Sequence, residues 1–313
     1  MAPQRSAPAQ SGPPEPGRLD PVRAGAAAFS GYLIWGLSAL FYKLISYAGA
    51  TEIVLHRAFW SVPFLALLLV MGKRFGAAMR LLADRRAMAT LVATALLIGA
   101  NWWIFIFAIN SGQVLEVSLG YFINPLMNVA VGVFIARERF GALRGVAVGL
   151  AALGVLNQIL IVGAVPVMAL FLAGTFTLYG YLRKTITTDG RIGLFWETVI
   201  IAIPSIVALS FLETSSAGHF LDGPWQALGL IMTGPMTVAP LLLFVIGARG
   251  LHFATLGVLQ FIAPSLQFAI GLATGEPFSP LYLITFVLIW AGLAVFVIDL
   301  LNFSRKQRRE KAR

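Results

Sequence analysis

Ten apolar segments of about 20 residues, separated by short polar breaks, limit what this chain can fold into more than any other feature. They cover 26–47, 52–71, 88–109, 113–135, 143–161, 165–182, 192–212, 226–247, 252–273 and 280–301. An α-helix rises about 1.5 Å per residue, so each segment is long enough to cross the roughly 30 Å of hydrocarbon in a bilayer. Composition agrees: 58% of the 313 residues are hydrophobic and 12% are charged, against roughly 25% charged in a soluble domain. The expected class is an all-α integral membrane protein.

The charges between the segments fix an expected orientation. Lys73, Arg74, Arg80, Arg85 and Arg86 follow the second segment, Arg137, Arg139 and Arg144 the fourth, Arg183, Lys184 and Arg191 the sixth, and Arg249 the eighth. Arg5, Arg18 and Arg23 precede the first segment, and "SRKQRREKAR" follows the tenth. The alternate loops "SYAGA", "SGQ", "VGAV", "TSSAGHFLDGP" and "TGEPFS" hold no Lys or Arg. Strict alternation predicts an even number of spans with both termini in the cytoplasm of a bacterial-type inner membrane. The net charge of +10 therefore reports orientation, and nucleic acid is not an expected partner. Cysteine is absent, which removes disulfides and thiolate metal sites. No other metal-ligand spacing stands out, so neither a metal nor a cofactor is expected.

An internal repeat sets the expected architecture. "SLGYFINPLMNVAVGVF" (118–134) is matched, with a two-residue gap, by "TLGVLQFIAPSLQFAIGLA" (255–273). Both place a Gly seven residues after the Pro, and a Glu-x-Phe follows each, at 138–140 and 276–278. Pro63 and Pro204 correspond in the second and seventh segments. Five spans per copy is an odd number, so the second copy enters the membrane inverted, which is a transporter arrangement. The expected layout is a disordered cytoplasmic tail at 1–24, a first five-helix repeat at 25–161, a second, inverted repeat at 165–302 and a basic cytoplasmic tail at 303–313.

"YLIWGLSALFYKLI", "EIVLHRAFWS", "LIGANWWIFIFAIN" and above all "VLEVSLGYFINPLMNVAVGVFIARERF" closely resemble the RarD proteins, the chloramphenicol-sensitivity family of EamA-type permeases in the drug/metabolite transporter superfamily. The resemblance covers nearly the whole chain after the tail. It implies a ten-helix inner-membrane permease working as an exporter. The second repeat reads Ile-Ala-Pro where the first reads Ile-Asn-Pro, so site residues do not carry over between halves one for one.

Only Lys43 and Arg57, of 23 Lys and Arg residues, escape the loop pattern. With the predicted orientation, Lys43, Glu52, His56, Arg57 and Glu116 share one depth in the outer third of the bilayer. Intramembrane charges face the bundle interior or water and find partners, so the expectation is a gating or coupling cluster in which Arg57, with Lys43 beside it, pairs with Glu116 or Glu52. The plainer reading has Lys43 snorkelling and Glu52 serving the dipole of its own helix. His56 titrates near neutrality, but Glu116 is the better candidate carrier if protons are the coupling ion. Glu197, about one turn into the seventh segment, stands where Arg57 stands in the other copy, with His252 as its candidate partner.

Below that mouth, Tyr121, Asn124 and Asn128 fall within about 60° on the fourth segment, flanked by Glu116 and Ser118. Pro125 frees a backbone carbonyl there. Gln260, Pro264 and Gln267 share a face in the ninth. These residues, with Trp35 and Trp102, are the expected substrate-cavity lining, and Pro125 and Pro264 the hinge candidates; amides that merely join helices are the competing reading. Trp103 and Tyr179 are weaker aromatic candidates, and Gly145, Gly149 and Gly154 read as packing contacts. No H-E-x-x-H, G-x-S-x-G or Walker A motif is present, so no catalytic residue and no enzyme activity are expected. The expected function is a secondary transporter of a small amphipathic metabolite or drug-like solute by alternating access, with the solute and the lipid bilayer as its partners. A lipid flippase, and then a membrane-embedded transferase, are the alternatives.

Overall fold

The computed structural model describes residues 21–134, 142–160, 163–183, 185–251 and 253–311. Arg137, Glu138, Arg139, Phe140, Lys184, His252, Arg313 and the chain before Pro21 lie outside the described residues. In order, the helices are α1 (Pro21–Leu44), α2 (Gly49–Met71), α3 (Phe75–Arg80), α4 (Arg85–Asn110), α5 (Val114–Phe134), α6 (Ala142–Leu160), α7 (Val167–Arg183), α8 (Gly190–Thr214), α9 (Pro224–Gly250), α10 (Phe253–Leu259), α11 (Ile262–Ala273) and α12 (Pro280–Lys311). No strand occurs among the described residues. Nine of the described spans are long and apolar enough to cross a membrane, and Val167–Arg183 is a shorter apolar helix of 17 residues.

Three expectations change. The tail gives way to helix at Pro21, since residues 21–24 belong to α1. The basic segment at 303–311 continues α12 without a break; it contains no Gly or Pro to end the helix. The ninth segment is not one continuous helix. α10 ends at Leu259 and α11 begins at Ile262. Pro264 is the cause, because proline removes the hydrogen bond to the carbonyl four residues earlier, that of Gln260, and its ring crowds that carbonyl.

Two of the loops without Lys or Arg close in the same way. Gly112 and Gly275, at φ +69° and +77°, end α4 and α11 in one motif. Gly112 N bonds Ile109 O and Gln113 N bonds Ala108 O; Gly275 N bonds Leu272 O and Glu276 N bonds Gly271 O. This is the Schellman arrangement, and its left-handed residue favours glycine. The second motif places Glu276 so that its two oxygens accept from Val114 N and Leu115 N, at 2.8 Å each, capping α5.

In the bundle, α1 packs on α9 and α11, while α7 packs on α4 and α5. α2 lies against α8 and α9, α4 also touches α8, α5 meets α11, and α6 meets α12. Gly154 of α6 lies against Ile289 and the Thr285 carbonyl, the close-packing role expected of it, whereas Gly149 faces open space. An aromatic group of Phe122, Phe268, Phe278, Phe286 and Trp290 fills the core beside α6 and α12.

Candidate functional site

Between these packed pairs lies a cavity of about 370 Å³. α5 contributes Tyr121, Asn124 and Pro125, one turn of its polar face. Gln260 enters from the break between α10 and α11, and Pro264 and Gln267 from α11. Trp35 of α1, Trp102 of α4 and Tyr179 of α7 add aromatic walls. A broken helix is tolerated where its freed backbone lines a cavity, so the sequence feature that interrupts α10–α11 also builds the wall.

Among the described residues, Arg57 is the one charged residue of the lining. It follows Gly49, the first residue of α2, by eight positions and is 8% exposed. Its guanidinium carbon stands 4.2 Å from the Trp102 ring centre and 5.7 Å from that of Tyr42. No carboxylate among the described residues comes within 4.0 Å of it, and its Nε has no hydrogen-bond partner. Cation–π contact is worth about 2 kcal/mol or more when desolvated, set against the several kcal/mol of removing an ion from water.

The expected pairing of Arg57 with Glu116 or Glu52 is thus not formed. Glu116 reaches instead to the backbone N–H groups of Met168 and Ala169 at the start of α7, where helix N-termini attract carboxylates. Glu52 Oε1 and Oε2 each lie 2.7 Å from His219, from its backbone N and its ring Nδ1 respectively. His219 stands in the loop after α8, and the Glu52 carboxylate beside it raises its imidazole pKa. Lys43 donates to Thr274 Oγ1 at 2.8 Å rather than to an acid. His56 is buried, stacked on Phe220 at 5.1 Å, and is outside the cavity lining.

Two expected lining residues also miss the cavity. Ser118 is fully buried and donates to the Pro264 carbonyl at 2.8 Å, joining α5 to α11 as helix glue. Asn128 is exposed; seven residues beyond Tyr121 it lies on the same face but about 10 Å further along the axis. Trp103 points outward, 38% exposed, with its Nε1 bonded to Thr51.

Glu197 is fully buried behind Tyr179 and Leu194 of the lining. Its oxygens accept from Thr94 Oγ1 at 2.7 Å and Tyr179 OH at 3.1 Å, and Arg183 Nε is 3.6 Å away. Arg183 is its cationic partner among the described residues, and His252, the expected partner, lies outside them. The sequence reading missed Asn101 and Tyr42, both in the lining. Asn101 donates to Leu172 O and Thr175 Oγ1 at 3.0 and 2.9 Å. A lone amide next to Trp102 inside an apolar run was its only signal; Tyr42 had none.

A multi-pass helical bundle around a half-polar, aromatic cavity is the form of a membrane transporter, and comparison with known proteins agrees. An uncharacterized transporter of Vibrio cholerae is 38% identical over 95% of this chain and 99% of its own length. Protein RarD of Escherichia coli is 37% identical over 89% of this chain and 95% of its own. The chloramphenicol-sensitive protein RarD of Pseudomonas aeruginosa is 31% identical over 87% and 94%. The chain belongs to the RarD family of multi-pass membrane transporters. No protein-family model matches it. A protein of known crystal structure, 18% identical, superposes over 87% of this chain and 96% of its own with a TM-score of 0.54, a likeness of fold alone.

Proposed function

We propose that this protein is a secondary transporter of small amphipathic solutes that carry a carboxylate or similar oxyanion on an apolar, often aromatic, body. The observation that carries this reading is Arg57, buried without a carboxylate partner and facing a cavity walled by Trp35, Trp102 and Tyr121. The guanidinium takes the anionic end, the aromatic walls take the body, and Asn101, Gln260 and Gln267 supply orienting amides. A volume of about 370 Å³ falls in the range of small-molecule sites and is too small for a two-chain lipid, which favours solute transport over the flippase alternative.

The mechanism in this reading is alternating access between two inverted five-helix halves, 25–161 and 165–302, with ten spans in all. The packing supports it. Exchanging α1, α2, α4, α5 and α6 for α7, α8, α9, α11 and α12 turns α1·α9 into α7·α4, α1·α11 into α7·α5, and α2·α9 into α8·α4. It leaves α2·α8, α5·α11 and α6·α12 as self-paired contacts. Pro125 and Pro264, both in the cavity wall, are the hinges. Export, with the basic loops cytoplasmic in an inner membrane, is the direction the family resemblance implies. Protons are the proposed coupling ion and Glu116, with one buried oxygen unpartnered, their carrier.

The test is uptake into vesicles reconstituted with the purified protein, comparing aromatic carboxylates with their amides, with and without a pH gradient. Carboxylates should be carried and compete with one another, and amides should not. Equal transport of both, or transport unaffected by Arg57→Ala, would sink the reading. Single cysteines at Gly76 and Gln113, in a chain without native cysteine, should label from opposite sides.

A further inference from the structure

A second site lies outside the cavity, on the face opposite the basic loops. Glu52 and His56 are four residues apart on α2 and so project from one side of it. Glu213 comes from the last turn of α8, and one ligating atom each from Glu52, His56 and Glu213 all lie within 4.8 Å of one another. His56 Nε2 is 3.9 Å from Glu52 Oε1. Nitrogen and oxygen ligands lie about 2.0–2.2 Å from zinc, which places them roughly 3.4 Å apart in a tetrahedron, so a closure of at most about 1.4 Å from the 4.8 Å span would complete the set.

His56 is what separates this cluster from a mere lock on a loop. It is 4% exposed, and neither ring nitrogen has a hydrogen-bond partner although both are shut off from solvent. An imidazole always has a polar nitrogen to satisfy, and burying it unmet is costly. Phe220, stacked 19° from parallel, fixes the ring plane. The carboxylates beside it are held in place from behind. His219 bonds both oxygens of Glu52 through its backbone N and its ring, and Phe220 N donates to Glu213 Oε1 at 3.0 Å. Gly218 lies against the Glu213 carboxylate, where any Cβ would strike it. A buried imidazole with two pre-oriented carboxylates is a donor set for zinc and its first-row neighbours; calcium and magnesium take oxygen alone.

We propose that Glu52, His56 and Glu213 bind a divalent transition metal ion of the zinc class, with His219 as a positioning residue that orients Glu52. Three protein ligands leave a coordination position open to water or to a solute group. The bound ion would fasten the loop between α8 and α9 to α2. This inference stands apart from the transport reading, because none of its residues lines the cavity.

The experiment is a zinc titration of the full-length protein in detergent, stripped with chelator and carrying no histidine tag. The chain has three histidines and no cysteine, so competing sites are few. Wild type should bind one equivalent of zinc, and cobalt should give visible absorption; magnesium and calcium should not compete. His56→Gln and Glu213→Gln should each weaken zinc binding at least 100-fold, and His219→Ala roughly 10- to 100-fold, the range for outer-shell partners. Gly218→Ala should also weaken it. Should His56→Gln fail to fold, Glu213→Gln, at the partly exposed rim, carries the test. No zinc bound by wild type, or equal affinity in folded Glu213→Gln, overturns the proposal and marks any residual zinc as adventitious.

Discussion

Arg57 and Glu197 occupy comparable places and meet opposite fates. Arg57 stands eight residues after the start of α2, and Glu197 seven after the start of α8, two helices packed on each other. Glu197 has Thr94, Tyr179 and Arg183 around it and no exposure at all. Arg57 has two aromatic rings and open space. A buried charge with a full set of partners holds helices together, and its interaction is already spent within the protein. A buried charge left without a counter-ion keeps its interaction for something that arrives. The difference teaches that α8 contributes a strut, and that α2, on the proposed function, contributes a receptor.

The largest expected effect breaks the strut. Glu197→Ala strands Arg183 and orphans Thr94 and Tyr179, and removing one member of a buried pair costs about 3–5 kcal/mol. Thermal unfolding of the detergent-solubilised protein, followed by tryptophan fluorescence, should shift strongly downward, and less for Glu197→Gln, which keeps an acceptor. A loss under about 1 kcal/mol, the level of a surface pair, would put Glu197 in the same class as Arg57.

Arg57→Ala should do the reverse. Transport of a carboxylate solute should fall at least tenfold, which corresponds to about 1.4 kcal/mol, while unfolding temperature and abundance stay at or above wild type because a charge without a counter-ion has been removed. Arg57→Ala combined with Glu116→Gln should show additive losses, since the two groups do not pair. Destabilisation by Arg57→Ala would reveal a partner and end the contrast.

A smaller effect sharpens the receptor. Trp102→Leu removes the ring under the guanidinium, worth about 0.5–2 kcal/mol, and should weaken solute binding several-fold without abolishing transport. Arg57→Lys keeps charge but not the flat face and should fall between wild type and Arg57→Ala.

The smallest effect concerns the neighbour of the receptor, the loop after α8. The His219 imidazole pKa is raised first by its hydrogen bond to Glu52 and further by the charges of Glu52, Asp222 and Glu213. A raised folded-state pKa means that the tie is fully present below the unfolded value of about 6.5 and is lost as pH climbs through the folded value. Hydrogen exchange in residues 215–223, with chelator present, should therefore be slower at pH 6 than at pH 9 beyond the intrinsic rate difference, and His219→Gln should flatten that contrast.

Much of the candidate site was legible in the sequence because its signals are local. A period of 3.6 residues put Tyr121 and Asn124 on one face and Gln260 and Gln267 on another, whereas the break between α10 and α11 came only with the structure. Asn128 shows the limit of the same logic, since angle was right and depth was not. Ser118 shows another, since a hydroxyl on the right helix turned to the Pro264 carbonyl of its neighbour instead of the cavity.

Apolar length and loop charge are properties of contiguous chain, and they determined by themselves that this is an all-helical membrane protein. The partners of its charges were decided only by tertiary structure. Helical spacing brings only His56 near Glu52, yet its carboxylate is held by His219, 167 residues away. Glu197 is met by Thr94 at a separation of 103. Helical periodicity states which residues share a face, but it carries no information about which other helix that face will meet. For that reason, packing of helix against helix, and not the sequence around Arg57, left its guanidinium without a carboxylate.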